Sequence, residues 1–308
     1  MNVTPEFLRD LEERGSALLG DRYASMVAER SHGIDHARRP PKNPHRLVNN
    51  LRRLAASREA VERGHGTIDA GAIIEVSIML SLVDGWRGTE NWPTIVAALP
   101  DPGNYAHTIL TLAAHKAYSD IGNVVHMVPA TGSGRSFDFS LLGRGGLSLA
   151  VEVKAPQKLR DGRLLTPEQA RSVVSDAMKS AGPSEGGQLA PDRCGNLVIG
   201  GFRLRDTDLK RLNEGASALF SRQRNLGHIA AIVVISLGVH LQNIKLVNGT
   251  PLIDPGTTLY STFSIERCPN PRYLGVVPVA TAIAPGWKPL GPHDEREGTD
   301  DPTFARYR

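Results

Sequence analysis

The chain has 308 residues, 40% of them hydrophobic and 22% charged, a globular composition with material for one large domain or two moderate ones. Its two cysteines, Cys194 and Cys268, exclude a disulfide framework and a four-cysteine zinc site, and no apolar run approaches the roughly 18 residues of a membrane span. The net charge of +4 leans toward a polyanionic partner, and the start MNVTPEFLRDLEERG alternates charge where a secretory leader has a basic head and an oily middle, which predicts a cytoplasmic protein with no membrane partner.

Thr4 followed by Pro5 reads as an N-cap with proline at the first helical position. Phe7, Leu8 and Leu11, and later Ile73, Ile74, Ile78 and Leu82, recur at helical spacing, so residues 1–100 are expected to form a helical, basic amino-terminal region. Within it, Arg30 to Arg63 carries nine Lys or Arg against three Asp or Glu, a local net of +6 that exceeds the excess of the whole chain. Arg38, Arg39, Lys42 and Arg46 are the candidates there for a nucleic-acid surface; a solvated helical face is the alternative. His32 and His36 have a ligand-like spacing, but Gly33 and the lack of a nearby cysteine pair argue against zinc.

The pattern then changes. Residues 104–119 suit a helix, NVVHMVPA a short strand, and SFDFSLLGRGGLSLAVEVKAP two strands around a glycine turn. Thr166-Pro167-Glu168-Gln169 is a capping box that predicts a helix over 167–181, followed by a buried strand at GNLVIGG, a helix near 206–222 and a second buried strand at HIAAIVVIS. Helix, three strands, helix, strand, helix, strand predicts an α/β fold with a mixed sheet flanked by helices over residues 101–250. Residues 251–308 read as a proline- and glycine-rich extension, loosely held from about Gly291.

In the second hairpin strand successive side chains alternate, so Leu149, Val151 and Val153 share one face and Ala150, Glu152 and Lys154 the other. If the turn lies at Gly143 to Gly146, pairing carries Asp138 beside Glu152, and two carboxylates and an ammonium converge at one end of the sheet. Two carboxylates are hard oxygen donors for Mg²⁺, and the lysine can orient an attacking water and screen charge growing on phosphorus. Phosphodiester hydrolysis is the natural reaction for such a trio.

Asp138, thirteen residues, then Glu152-Val153-Lys154, set in an αβββαβ order, resembles the PD-(D/E)xK nuclease superfamily of restriction and repair endonucleases; GSGRSFDF and the strand running into EVKAP look like it too. The resemblance covers roughly residues 104–236. It implies a restriction-endonuclease-like core, a catalytic set of Asp138, Glu152 and Lys154, and Mg²⁺, replaceable by Mn²⁺, on Asp138, Glu152 and the Val153 carbonyl. DNA is the expected partner, with a restriction or defence setting, and a homodimer is among the expected assemblies.

The family's proline before the acid is Phe137 here, and the glutamate of many members is missing from the helix 104–119. His107 in that helix and Glu75 in the helix before it are the candidates for a third ligand. Arg135, Lys158 and Arg160 bracket the hairpin and are candidate phosphate contacts. Asp208-Leu209-Lys210 matches the same acid-any-lysine letters but lies in a helical stretch without a hairpin and is set aside. No GxxxxGK[ST] or GxSxG occurs, and 5% aromatics argue against single-strand binding by base stacking. The alternatives are a catalytically inactive nuclease fold that binds nucleic acid or a protein partner, and an interaction protein in which the Glu152–Lys154 pair is incidental.

Overall fold

The computed structural model describes residues 3–35, 45–120, 123–128, 138–142, 148–160, 164–181, 188–238, 244–252 and 263–273. Arg38, Arg39, Lys42, Arg135, His36, the glycine turn of the hairpin and the tail from Gly291 lie outside them. The chain divides into two compact units, Met1–Ile109 with Gly238–Thr262, and Leu110–Leu237 with Phe263–Arg308. No helix among the described residues is long and apolar enough to cross a membrane.

The first unit is helical: α1 (Pro5–Leu19), α2 (Arg22–Asp35), α3 (Arg46–Arg63), α4 (Ala70–Asp84) and α5 (Trp92–Ala98) precede α6 (Pro102–Asp120), whose second half belongs to the other unit. Thr4 caps α1 as its sequence suggests, its hydroxyl accepting from the Phe7 N–H at 3.2 Å. Leu8, Leu11 and Leu18 of α1, Leu47, Leu51 and Leu54 of α3, and Ile73, Val76 and Leu80 of α4 are buried at three- and four-residue spacing. Gly15 lets α1 approach α3, since a Cβ there would stand 2.7 Å from Leu51.

A small antiparallel sheet completes this unit: β1 (Gly66–Ile68) pairs with β7 (Ile244–Val247), which turns back into β8 (Thr250–Leu252). The turn is Asn248-Gly249, both at positive φ (50° and 75°), as a two-residue hairpin requires. Residues 244–252 therefore do not belong to the sheet of the second unit, which corrects the expected boundary at residue 250.

The second unit is a six-stranded mixed sheet in the order β2-β3-β4-β5-β6-β9. Its strands are β2 (Val124–Met127), β3 (Phe139–Leu142), β4 (Ser148–Lys154), β5 (Gly195–Phe202), β6 (Ile229–Leu237) and β9 (Phe263–Pro269). The first three form an antiparallel meander, β4, β5 and β6 run parallel, and β9 closes the edge antiparallel to β6. Within the proline- and glycine-rich extension expected over 251–308, β9 is an integral strand of this sheet that the sequence reading did not anticipate, and its Cys268 joins the core.

Every residue of β5 and β6 is buried, the signature of a strand covered on both faces. One face packs on α7 (Pro167–Ala181) and α8 (Asp206–Arg222) through Leu197, Ile199, Ile232 and Val234. The other receives the second half of α6: a Cβ on Gly200 would meet Leu110 at 2.7 Å, Asn196 donates to the Tyr118 hydroxyl at 3.0 Å, and His115 and Tyr118 set their rings against Phe139. The capping box of α7 forms in full, Gln169 N–H donating to the Thr166 hydroxyl at 3.2 Å and Thr166 N–H to the Gln169 amide oxygen at 2.9 Å.

Burial, helped by the charge of His126, pushes the His115 imidazole down to about 4. A histidine with a lowered folded pKa leaves stability intact above its unfolded value near 6.5 and removes it as pH falls, because the unfolded chain then binds more protons. Urea unfolding between pH 7.5 and pH 4 is therefore expected to show a loss about 3 kcal/mol smaller in His115→Phe than in the parent chain. Equal losses in the two proteins would show that His115 takes up its proton without unfolding.

Candidate active site

The site follows from register. Phe139 lies opposite Val151 and Ser140 opposite Ala150, so Asp138, one residue earlier, stands against the 151–153 stretch of β4. Its own N–H donates to the Val151 carbonyl at 3.1 Å, and its Oδ2 accepts from the Val153 N–H at 2.7 Å. A carboxylate taking a backbone N–H in this way is drawn tightly onto the strand that carries Glu152.

Glu152 and Lys154 lie in register with Leu197 and Ile199 of β5, which belong to the core under α7 and α8, so both charged side chains enter on that face. Glu152 is 2% exposed and Lys154 22%; the ammonium approaches Glu152 Oε1 at 2.6 Å and donates to the Gln188 amide oxygen at 3.1 Å. This is no solvated surface pair. In an apolar surrounding a carboxylate persists as a charge only beside a partner of opposite sign, and Lys154 supplies it.

The donor set fits a small hard cation: Asp138 and Glu152 offer carboxylate oxygens, Val153 between them in register a carbonyl, and water and substrate oxygens complete such sites. Among the described residues no group of three His, Cys, Asp or Glu is arranged to hold a metal, so the expected third side-chain ligand does not appear.

Glu75 has other company. It is 3% exposed within the first unit, and Arg46 grips it with both arms of its fork, Nε to Oε1 at 2.5 Å and Nη2 to Oε2 at 2.8 Å, while the Asn50 amide donates to Oε1 at 2.7 Å. Two residues expected to serve a metal and a nucleic acid serve one another instead, because a bidentate guanidinium–carboxylate pair satisfies both groups at once. Burial and then the charge of Glu75 push the Tyr105 hydroxyl upward, which keeps that phenol neutral beside the pair. His107 lies on the first half of α6, in the first unit.

The remaining candidates separate in the same way. Lys158 is exposed, within 3.4 Å of the Ser172 hydroxyl and 4.0 Å of Asp176, and stays available to an anion. Arg160 instead folds back, donating through Nε and Nη2 to the Ala155 carbonyl at 3.3 and 3.2 Å, where it closes the end of β4. Along α3, Arg53 meets Asp69, Arg58 meets Glu12 and Glu62, and Arg63 meets Glu59. The basic stretch is neutralised locally at these positions. Asp208, the rejected second acid, is fully buried and accepts from the Leu165 and Arg205 N–H groups at 2.8 and 3.2 Å, a structural joint between α8 and the entry to α7.

Gln188 is the contact that sequence reasoning missed. It lies 34 residues beyond Lys154 in a polar loop, and nothing in GGQLAPD signals a site. No family model matches the chain, and comparison with curated proteins and with solved structures returns no match.

Two substitutions test these buried pairs. Glu75→Ala leaves the Arg46 guanidinium half-sequestered without its acid and is expected to cost about 3 kcal/mol in urea unfolding, with Glu75→Gln recovering part of it. Lys154→Met strands Glu152 in the core and is expected to cost a similar ~3 kcal/mol at neutral pH, largely restored by Lys154→Met combined with Glu152→Gln. Additive losses in the combined variant would show that the two charges do not depend on each other.

Proposed function

We propose that the chain is a metal-dependent endonuclease with a restriction-endonuclease-like core, hydrolysing DNA phosphodiester bonds through Asp138, Glu152 and Lys154. The observation that carries this reading is the convergence at the end of β3 and β4: Asp138 bonded to Val153, and Glu152 joined to Lys154 within 2.6 Å in a nearly closed environment. The order α6, β2, β3, β4, α7, β5 supports it, since it reproduces the αβββαβ succession that the sequence motif resembles.

In hydrolysis a water oxygen forms a bond to phosphorus, the bond from phosphorus to one ester oxygen breaks, and a proton reaches the departing oxygen. Mg²⁺ bound by Asp138, Glu152 and the Val153 carbonyl would supply a Lewis acid for the phosphoryl oxygens. Lys154 is an ammonium with donors to spare beside the carboxylate, suited to hold the attacking water and to face the negative charge that develops on phosphorus. Burial of Glu152 keeps bulk water from screening these charges, which strengthens each of them. Lys158, exposed just beyond the strand, is the described side chain best suited to a neighbouring phosphate.

The test is cleavage of linear and supercoiled DNA at low salt with Mg²⁺, Mn²⁺ or EDTA. Metal-dependent cleavage is expected, reduced about 10²–10³-fold in Asp138→Asn and in Lys154→Met. Cleavage that persists in both variants would overturn the site assignment. Salt-sensitive DNA retention with no cleavage would favour a silent nuclease fold, a reading to which the two-carboxylate ligand set among the described residues lends weight.

A further inference from the structure

Lys154 emerges from β4 as a flexible four-carbon stem, and one acceptor would leave its ammonium free to swing about that contact. The structure provides two, from different parts of the fold: Glu152 Oε1 at 2.6 Å on its own strand and Gln188 Oε1 at 3.1 Å from the segment that enters β5. An ammonium only donates, so the amide presents its oxygen to it.

We propose that Gln188 is the positioning residue of the active site, fixing the Lys154 ammonium over Glu152 for phosphodiester hydrolysis; this rests on the nuclease reading above. The placement of Gln188 is set by the core. Its neighbour Leu189 is completely buried among the side chains of α7 and α8, and the Leu189 N–H donates to the Ala181 carbonyl at 2.9 Å. Ala190 and Arg193 then exchange backbone hydrogen bonds at 3.2 and 2.8 Å, closing a tight turn. Gly195 completes the seat, because a Cβ there would fall 2.7 Å from Leu189 Cδ2 and 2.2 Å from the Ala150 carbonyl oxygen of the neighbouring strand. Gln188 is thus held by the same packing that pairs β4 with β5, and its amide reaches Lys154 from a fixed base. Side chains that orient a reacting group through such a support change the rate of the chemical step more than the binding of substrate.

The test uses the full chain with Gln188→Met, which keeps length and removes the acceptor, and Gln188→Glu, which keeps an acceptor at the same reach. Gln188→Met is expected to lower kcat about ten- to a hundredfold with KM for DNA unchanged, and Gln188→Glu to recover at least part of the loss. Without DNA or metal, the side-chain NMR signal of Lys154, identified by its loss in Lys154→Met, is expected to sit apart from the exposed lysines and to merge with them in Gln188→Met. An unchanged kcat in Gln188→Met, or a loss confined to KM, would overturn the positioning role while leaving the nuclease reading in place. Absence of metal-dependent cleavage by the parent chain would overturn both, and the lysine signal would then report a structural contact alone. Should Gln188→Met fail to fold, Gln188→Ala repeats the comparison with a smaller side chain.

Discussion

The candidate site hangs on the antiparallel register between β3 and β4. Side chains in a strand alternate with a period of two, so a slip of β4 by one residue would turn Glu152 and Lys154 to the face of α6 and bring Val151 and Val153 to the other. The register is held by what each face buries: Phe139 and Tyr118 pack edge to face on one side, while Ala150, Leu197 and Ile199 meet α7 and α8 on the other. The Asp138–Val153 hydrogen bond adds a polar lock at the end of the pairing. Hydrophobic patterning thus decides where the charges go, and the charges need no local signal of their own.

This explains why so much was legible. The bounds of α7 and α8 follow from caps and periodicity that lie within a few residues, and the buried strands β5 and β6 announce themselves as unbroken apolar runs. Asp138, Glu152 and Lys154 could be brought together on paper because a hairpin joins them, and a hairpin is a short-range structure. The pairing of β6 with β9, of β1 with β7, and of Lys154 with Gln188 joins residues 26 to 180 positions apart, where no local pattern selects the partner. The Asn248-Gly249 turn is an exception: its dipeptide is a strong hairpin signal, masked by the proline and glycine that follow.

Charge taught a related lesson. The +6 of residues 30–63 is a sum along the chain, whereas a nucleic acid meets a sum over a surface. In the folded first unit Glu12, Asp69 and Glu75 come from other helices or helix ends to sit beside Arg58, Arg53 and Arg46. Acids distant in sequence cancel bases that looked concentrated. Of the arginines read as a binding face, Arg46 is half-buried and clamped onto the buried Glu75 of its own unit.

The placement of residues 244–252 in the first unit, before β9 joins the second, carries a consequence for how the molecule can be taken apart. A fragment ending near residue 109 lacks the strand that β1 pairs with, and one spanning 110–237 exposes the whole length of β6 as a bare sheet edge, a template for pairing with other chains. Neither unit is a contiguous piece of sequence. During synthesis β1 therefore stays without β7 until five of the six strands of the larger sheet have been made, and that sheet in turn waits for β9; the two units are completed almost together.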